Sequence, residues 1–192
     1  MKVLVISYST RKNGNTELLL NEAIKGASDS GADVEFLRLQ KLKIHPCVEC
    51  LSCHKAGKCA INDDMQKLYP KLINMDAIIL GSPIFFMSIP AQGKAFIDRC
   101  QPFWSMKYLL KKKVIPDEKT PRKGAFISVG ATNFKYLFDG AVRIVKSFFN
   151  VTEVEYQEDL LFKGIDEKGE ILEHPEASKL SYDLGTRIVR SS

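Results

Sequence analysis

Lys2–Thr16, KVLVISYSTRKNGNT, is the stretch whose reading decides the fold. Lys2 to Tyr8 is a short apolar run rich in β-branched side chains. It lacks polar alternation, which marks a strand covered on both faces, as in a parallel sheet. Ser9 to Thr16 is polar around Gly14 and reads as a loop. Beyond it Leu20, Ala23, Ile24 and Ala27 recur at helical spacing, and Gly31 suits the helix end. Asp33 to Leu39 (DVEFLRL) alternates as a second strand. Strand, loop, helix and strand in this order make a βαβ unit.

The rest of the chain continues the alternation. Asn62, Asp63 and Asp64 offer an N-cap and an acidic first turn for a helix through Leu68 and Leu72. Ala77 to Gly81 is a third buried strand, followed by the apolar loop Ser82–Ile89. Pro90 opens a helix through Phe96 and Cys100, and Ala125–Val129 is a fourth strand. Phe134, Leu137, Phe138, Ala141, Val142, Val145, Phe148 and Phe149 share one helical stripe. Val151–Tyr156 reads as a fifth strand, followed by an acidic loop and a last helix with Leu180, Leu184 and Ile188 aligned. Five strands alternating with helices predict an α/β, doubly wound parallel sheet, and order 2-1-3-4-5 fits five strands best. Residues 1–192 read as a single domain, with residues 41–62 as a cysteine-rich insert after the second strand.

A chain of 192 residues with 45% hydrophobic content buries a full core. No apolar run approaches the ~20 residues that span a bilayer, and the N-terminus lacks a secretory h-region. A cytoplasmic protein is expected, with neither membrane nor nucleic acid as a partner. Lys107–Lys123 holds seven bases against two acids, and Glu153–Glu176 nine acids against two bases. Such runs are solvated faces or docking surfaces for a partner of opposite sign.

In sheets of this kind ligands bind beyond the carboxyl ends of the strands, where strand order reverses. Here those are the loops after strands one and three. Ser9, Thr10 and Thr16 bring hydroxyls, Gly14 lets the backbone come close, and a helix N-terminus near Thr16 favours an anion. Arg11 and Lys12 add charge, and Asn13 and Asn15 complete the polar set. The competing reading is an ordinary turn capped by Asn15 or Thr16. Neither a Walker loop nor a G-x-G-x-x-G fingerprint is present. After strand three, Ser82, Pro83, Ile84, Phe85, Phe86 and Met87 put apolar bulk where a surface loop is usually polar. That suits a flat aromatic ligand, a subunit interface, or packing beneath the loop. Gly130 and Ala131, after strand four, leave room for a ring.

Cys47, Cys50, Cys53 and Cys59 are spaced C-x2-C-x2-C-x5-C. Clustered cytosolic thiols point to metal or redox work. Structural zinc sites usually pair two knuckles across a longer gap. Three cysteines at identical short gaps resemble the ligand run of bacterial ferredoxins, and Gly57 eases the turn that lets Cys59 close the same cluster. A [4Fe–4S] cluster, zinc and a thiol redox or structural role all stay open, with His45 and His54 alongside. Cys100, outside the run, reads as a buried inert thiol.

The motifs S-x-R-x-x-G-N-T and G-S-P-I-F-F-x-S-I-P-A-x-x-K-x-F-I-D-R resemble the NAD(P)H-dependent FMN reductase relatives of the flavodoxin-like fold. With the cysteine run, the chain resembles the iron–sulfur flavoproteins. The resemblance implies FMN, with its phosphate on Ser9–Thr16 and its ring against Pro83–Phe86 and the Gly130 loop. It implies one [4Fe–4S] cluster on Cys47, Cys50, Cys53 and Cys59, ferredoxin as electron donor, and a homodimer or homotetramer. The expected function is electron transfer from ferredoxin through the cluster to FMN and on to a further acceptor. The alternative is an NAD(P)H-dependent FMN or quinone oxidoreductase.

Overall fold

The computed structural model describes residues 1–116 and 121–190. Asp117, Glu118 and Lys119 of the basic run lie outside them. β1 (Lys2–Ser7) is the inner strand on which the sheet is built. Successive side chains on a strand point to opposite faces. Val3 and Val5 accordingly join one core cluster, and Leu4 and Ile6 the other. β2 (Asp33–Arg38), β3 (Ala77–Pro83), β4 (Arg122–Gly130) and β5 (Val154–Lys163) complete the sheet. All pairs are parallel and the order is β2-β1-β3-β4-β5, as expected. Strand order reverses between β1 and β3.

α1 (Asn15–Asp29) and α7 (Pro175–Arg190) cover one face, and α3 (Met65–Asn74), α4 (Ala91–Asp98) and α6 (Asp139–Val151) the other. The short α2 (Ser52–Ala56) lies within the cysteine run. α5 (Gln101–Trp104) continues into a π-helical turn at Ser105–Leu109. α1 and α7 cross in close contact. A Cβ on Gly185 would overlap the Ala23 carbonyl, and one on Gly26 the Tyr182 carbonyl. Arg122 is buried at the far end of the sheet. It donates Nε to the Met75 carbonyl (2.9 Å) and Nη1 to that of Thr152 (2.8 Å), closing the ends of α3 and α6.

Several elements differ from expectation. The helix read from Phe134 starts at Asp139, and Phe134 is exposed. Lys163 Nζ takes the Phe134 carbonyl (2.9 Å), and residues 134–138 turn instead of coiling. Val151 belongs to α6, which ends where the Thr152 hydroxyl donates to the Phe148 carbonyl (2.8 Å). β5 therefore starts later and runs to Lys163, so Glu158 and Asp159 lie on an edge strand rather than a loop. The helix from Pro90 breaks after Asp98, and Pro102, which lacks an N–H, opens α5. On α7, Leu180 is exposed, and Ala177, Ser181 and Gly185 join Leu184 and Ile188 on the buried face. Among the described residues no helix is long and apolar enough to cross a membrane.

Candidate functional site

The loops after β1, β3, β4 and β5 converge on one small cavity of about 100 Å³. It gathers Ser9, Thr10, Arg11, Asn15 and Thr16 from the first loop, Pro83, Ile84 and Phe85 from the second, and Ala131 from the third. The first loop is held from inside. Ser9 Oγ donates to the Arg11 carbonyl (3.1 Å) and accepts from the Arg11 N–H (3.3 Å). The buried Glu17 carboxylate accepts from the Asn13 N–H and pairs with Arg38. Gly14 occupies the cap position of α1 and no side chain caps the helix. Asn15 is not the cap. Its side chain accepts from the Gly169 N–H (2.8 Å) and donates to the Glu167 carbonyl (2.8 Å). A helix N-terminus has amide donors without intrahelical partners, and here they open on a cleft lined by hydroxyls.

Four of the residues expected here stand outside the cavity lining. Asn13 takes a positive φ, and its N–H goes to Glu17. Ser82 is buried, with its hydroxyl donating to the Pro83 carbonyl (2.7 Å). Phe86 is fully exposed at the loop tip. Gly130 accepts from the Ile165 N–H (3.2 Å) and packs under Leu137. Val129, Ile165 and Asp166 line the cavity unforeseen. The last two follow β5, and the rule that ligands sit beyond carboxyl strand ends was the signal for them.

The cysteine run builds a second, larger cavity of about 420 Å³. Cys47, Cys50, Cys53 and Cys59 all line it, with Arg99 and Trp104 as its inner wall. All five cysteines are free, and Cys47 and Cys50 are exposed. The Sγ of Cys50 lies 3.5 Å from Ser52 Oγ, and that of Cys53 lies 3.5 Å from Ser105 Oγ. Hydrogen bonding to Ser52 holds the Cys50 thiol below its usual range. Cys100 lies elsewhere, buried beside Phe96, and burial raises its pKa. His54 lines the thiol cavity, whereas the His45 ring faces the Pro46 carbonyl (2.8 Å). Among the described residues no three His, Cys, Asp or Glu side chains close on the point a single ion would occupy.

Backbone conformation marks the same places. Asn13, Glu49, Leu51, Phe86 and Met87 have positive φ, five of the seven such non-glycine residues described. They fall in the three loops named above, and strain of this kind collects at functional sites. The two cavities share no residue. α4 runs about 12 Å from Ala91, after the apolar loop, to Asp98 at the thiol cavity.

Residues 1–139 match the family of NADPH-dependent FMN reductases. An iron-sulfur flavoprotein of Methanocaldococcus jannaschii is 38% identical over 132 residues, 69% of this chain and 63% of that one. Another from the same organism is 31% identical over 159 residues, 80% of this chain and 73% of that one. This chain belongs to the iron–sulfur flavoprotein family, within the FMN reductase superfamily. It spans about half to two-thirds of the length of several such flavoproteins. Among solved structures, an NAD(P)H:quinone oxidoreductase from Methanothermobacter marburgensis superposes with TM-score 0.73 at 14% identity, covering 98% of this chain and 96% of that one. That likeness shows the flavodoxin-like fold of the iron–sulfur flavoprotein.

Proposed function

We propose that this flavoprotein carries electrons from a ferredoxin through a [4Fe–4S] cluster on Cys47, Cys50, Cys53 and Cys59 to FMN, and on to a further acceptor. Residues 1–192 act as one flavodoxin-like domain, and residues 41–62 are its cluster-binding insert. The observation that carries the reading is that all four thiols of the run line one cavity of about 420 Å³, with Arg99 and Trp104 in its wall. Ser105 donates to the Cys53 sulfur, Ser52 lies beside that of Cys50, and Arg99 lines the same cavity. Donors to sulfur raise a cluster's potential, and burial and net charge tune it further. The cluster supplies single-electron exchange and FMN can take one electron or two.

The FMN phosphate is assigned to Ser9, Thr10, Arg11 and Thr16 at the uncapped start of α1. The ring is assigned to the wall formed by Pro83, Ile84, Phe85 and Ala131. Lys41, Lys43, Lys55 and Lys58 are exposed around the thiols and form the docking face for an acidic donor. The exposed Phe85, Phe86 and Met87, with Trp104 and Tyr108, are assigned to a homodimer or homotetramer interface in a cytoplasmic protein. Replacing one ligand tests the reading. Cys47→Ala should lose most of its iron while keeping FMN, and full iron content in that variant would refute the assignment.

The family match supports a second reading, in which NAD(P)H reduces the flavin directly. Anaerobic bleaching of the flavin by NADPH without ferredoxin favours it. Bleaching only with reduced ferredoxin favours the first.

A further inference from the structure

One buried pair of side chains ties both ends of the cysteine loop. Arg99, just past the end of α4, is 1% exposed. Its Nη1 donates to the His45 carbonyl (2.7 Å) and Asp63 Oδ2 (2.6 Å). Its Nη2 donates to Asp63 Oδ1 (3.0 Å) and the Ile61 carbonyl (3.3 Å). Asp63 in turn accepts from the N–H groups of His45 (2.8 Å) and Met65 (3.0 Å). The chain just before Cys47 and the chain just after Cys59 therefore meet at one guanidinium. Tyr69 on α3 fixes that guanidinium's own backbone, donating its hydroxyl to the Arg99 carbonyl (2.7 Å).

The four terminal N–H bonds of Arg99 all go to oxygen, whereas its buried Nε has no hydrogen-bond partner. Buried donors left over in this way are uncommon and call for a cause. Arg99 and Cys59 line the same thiol cavity.

We propose that Arg99, locked by Asp63, is the positioning residue of the cysteine site. It gathers the ends of the Cys47–Cys59 loop before any cluster is present, and it sets a fixed positive charge beside Cys59. The inference rests on the reading of the cysteines as cluster ligands. Reduction adds one electron, hence one negative charge, to the bound group, and Arg99 neither gains nor loses a proton. A cation beside a ligand sulfur favours the more negative state. Asp63 absorbs part of the charge, which makes its burial tolerable, but Arg99 is the member of the pair that lines the thiol cavity. Neutralising Arg99 removes the cation and unmasks the carboxylate, and both changes act in the same direction.

The test compares wild type, Arg99→Gln and Arg99→Lys as full chains prepared without oxygen. In metal-free protein, the rate of thiol alkylation by iodoacetamide reads the clamp. After reconstitution with iron and sulfide, a redox titration of the cluster reads the charge. Both variants lose the bidentate fork, so both should alkylate about tenfold faster than wild type. The reduced state should weaken about tenfold in Arg99→Gln, a fall of 59 mV for one electron, and stay near wild type in Arg99→Lys. An unchanged alkylation rate in Arg99→Lys overturns the clamp even if Arg99→Gln fails to fold. An unchanged potential in folded Arg99→Gln, or a fall in Arg99→Lys as large as tenfold, overturns the charge. A wild type that takes up no iron and sulfide refutes the cluster reading instead, and the alkylation arm still decides the clamp.

Discussion

Thr16→Val isolates the phosphate end of the flavin site. Thr16 is 2% exposed in the first turn of α1, so valine replaces a hydroxyl by a methyl of similar volume and opens no new surface. Thr16 lines the same cavity as Ser9 and Thr10, at a helix start with no side-chain cap. A hydrogen bond to a charged group contributes roughly 1.5–3 kcal/mol, more than the neutral kind. At about 1.4 kcal/mol per tenfold, losing one such bond weakens FMN binding roughly 10- to 100-fold. Riboflavin has the same ring and no phosphate, so its affinity should stay within about twofold. Fluorescence titration of apoprotein with both flavins gives the ratio directly, and ring effects cancel in it. If FMN and riboflavin weaken together, or FMN does not weaken at all, the phosphate is not bound at this loop.

Gly185→Ala decides between two opposed effects on stability. Alanine is the better helix former by about 1 kcal/mol, but here its Cβ meets the Ala23 backbone and must push α1 from α7. Overpacking costs about 1–3 kcal/mol, more against rigid backbone. The melting temperature should therefore fall by several degrees, and a rise would mean that the helices do not cross so tightly. Reversing Lys41, Lys43, Lys55 and Lys58 to Glu should slow reduction by ferredoxin about tenfold or more at low salt, with the difference closing as salt screens the charges. Equal stopped-flow rates at low salt would remove this face as the docking site.

Much of this architecture was legible because buried parallel strands announce themselves locally. Val3–Ile6 and Ala77–Leu80 are unbroken apolar runs, and each forms a strand at the expected place. β5 was cut short because it is an edge strand. Its Glu158 and Asp159 read as loop, but Glu158 pairs with Arg187 on α7 and Asp159 accepts from the Tyr156 hydroxyl. The start of α6 was misplaced because its apolar period continues back to Phe134, whereas the break comes from Lys163, far along the chain. On α7 Leu184 and Ile188 of the expected stripe are buried and Leu180 is exposed. Ala177, Ser181 and Gly185 complete the buried face, where α1 crosses too closely for larger side chains. The thiols were legible from spacing alone. Arg99 and Asp63 were not, because nothing local distinguishes them until the fold brings positions 45, 61, 63 and 99 together.

Composition of the purified protein bears most directly on the central claim. One preparation made without oxygen, assayed together for iron, acid-labile sulfide, zinc and FMN, should give about four irons, four sulfides and one FMN per chain, with negligible zinc. Stoichiometric zinc, or FMN with neither iron nor sulfide, would contradict it.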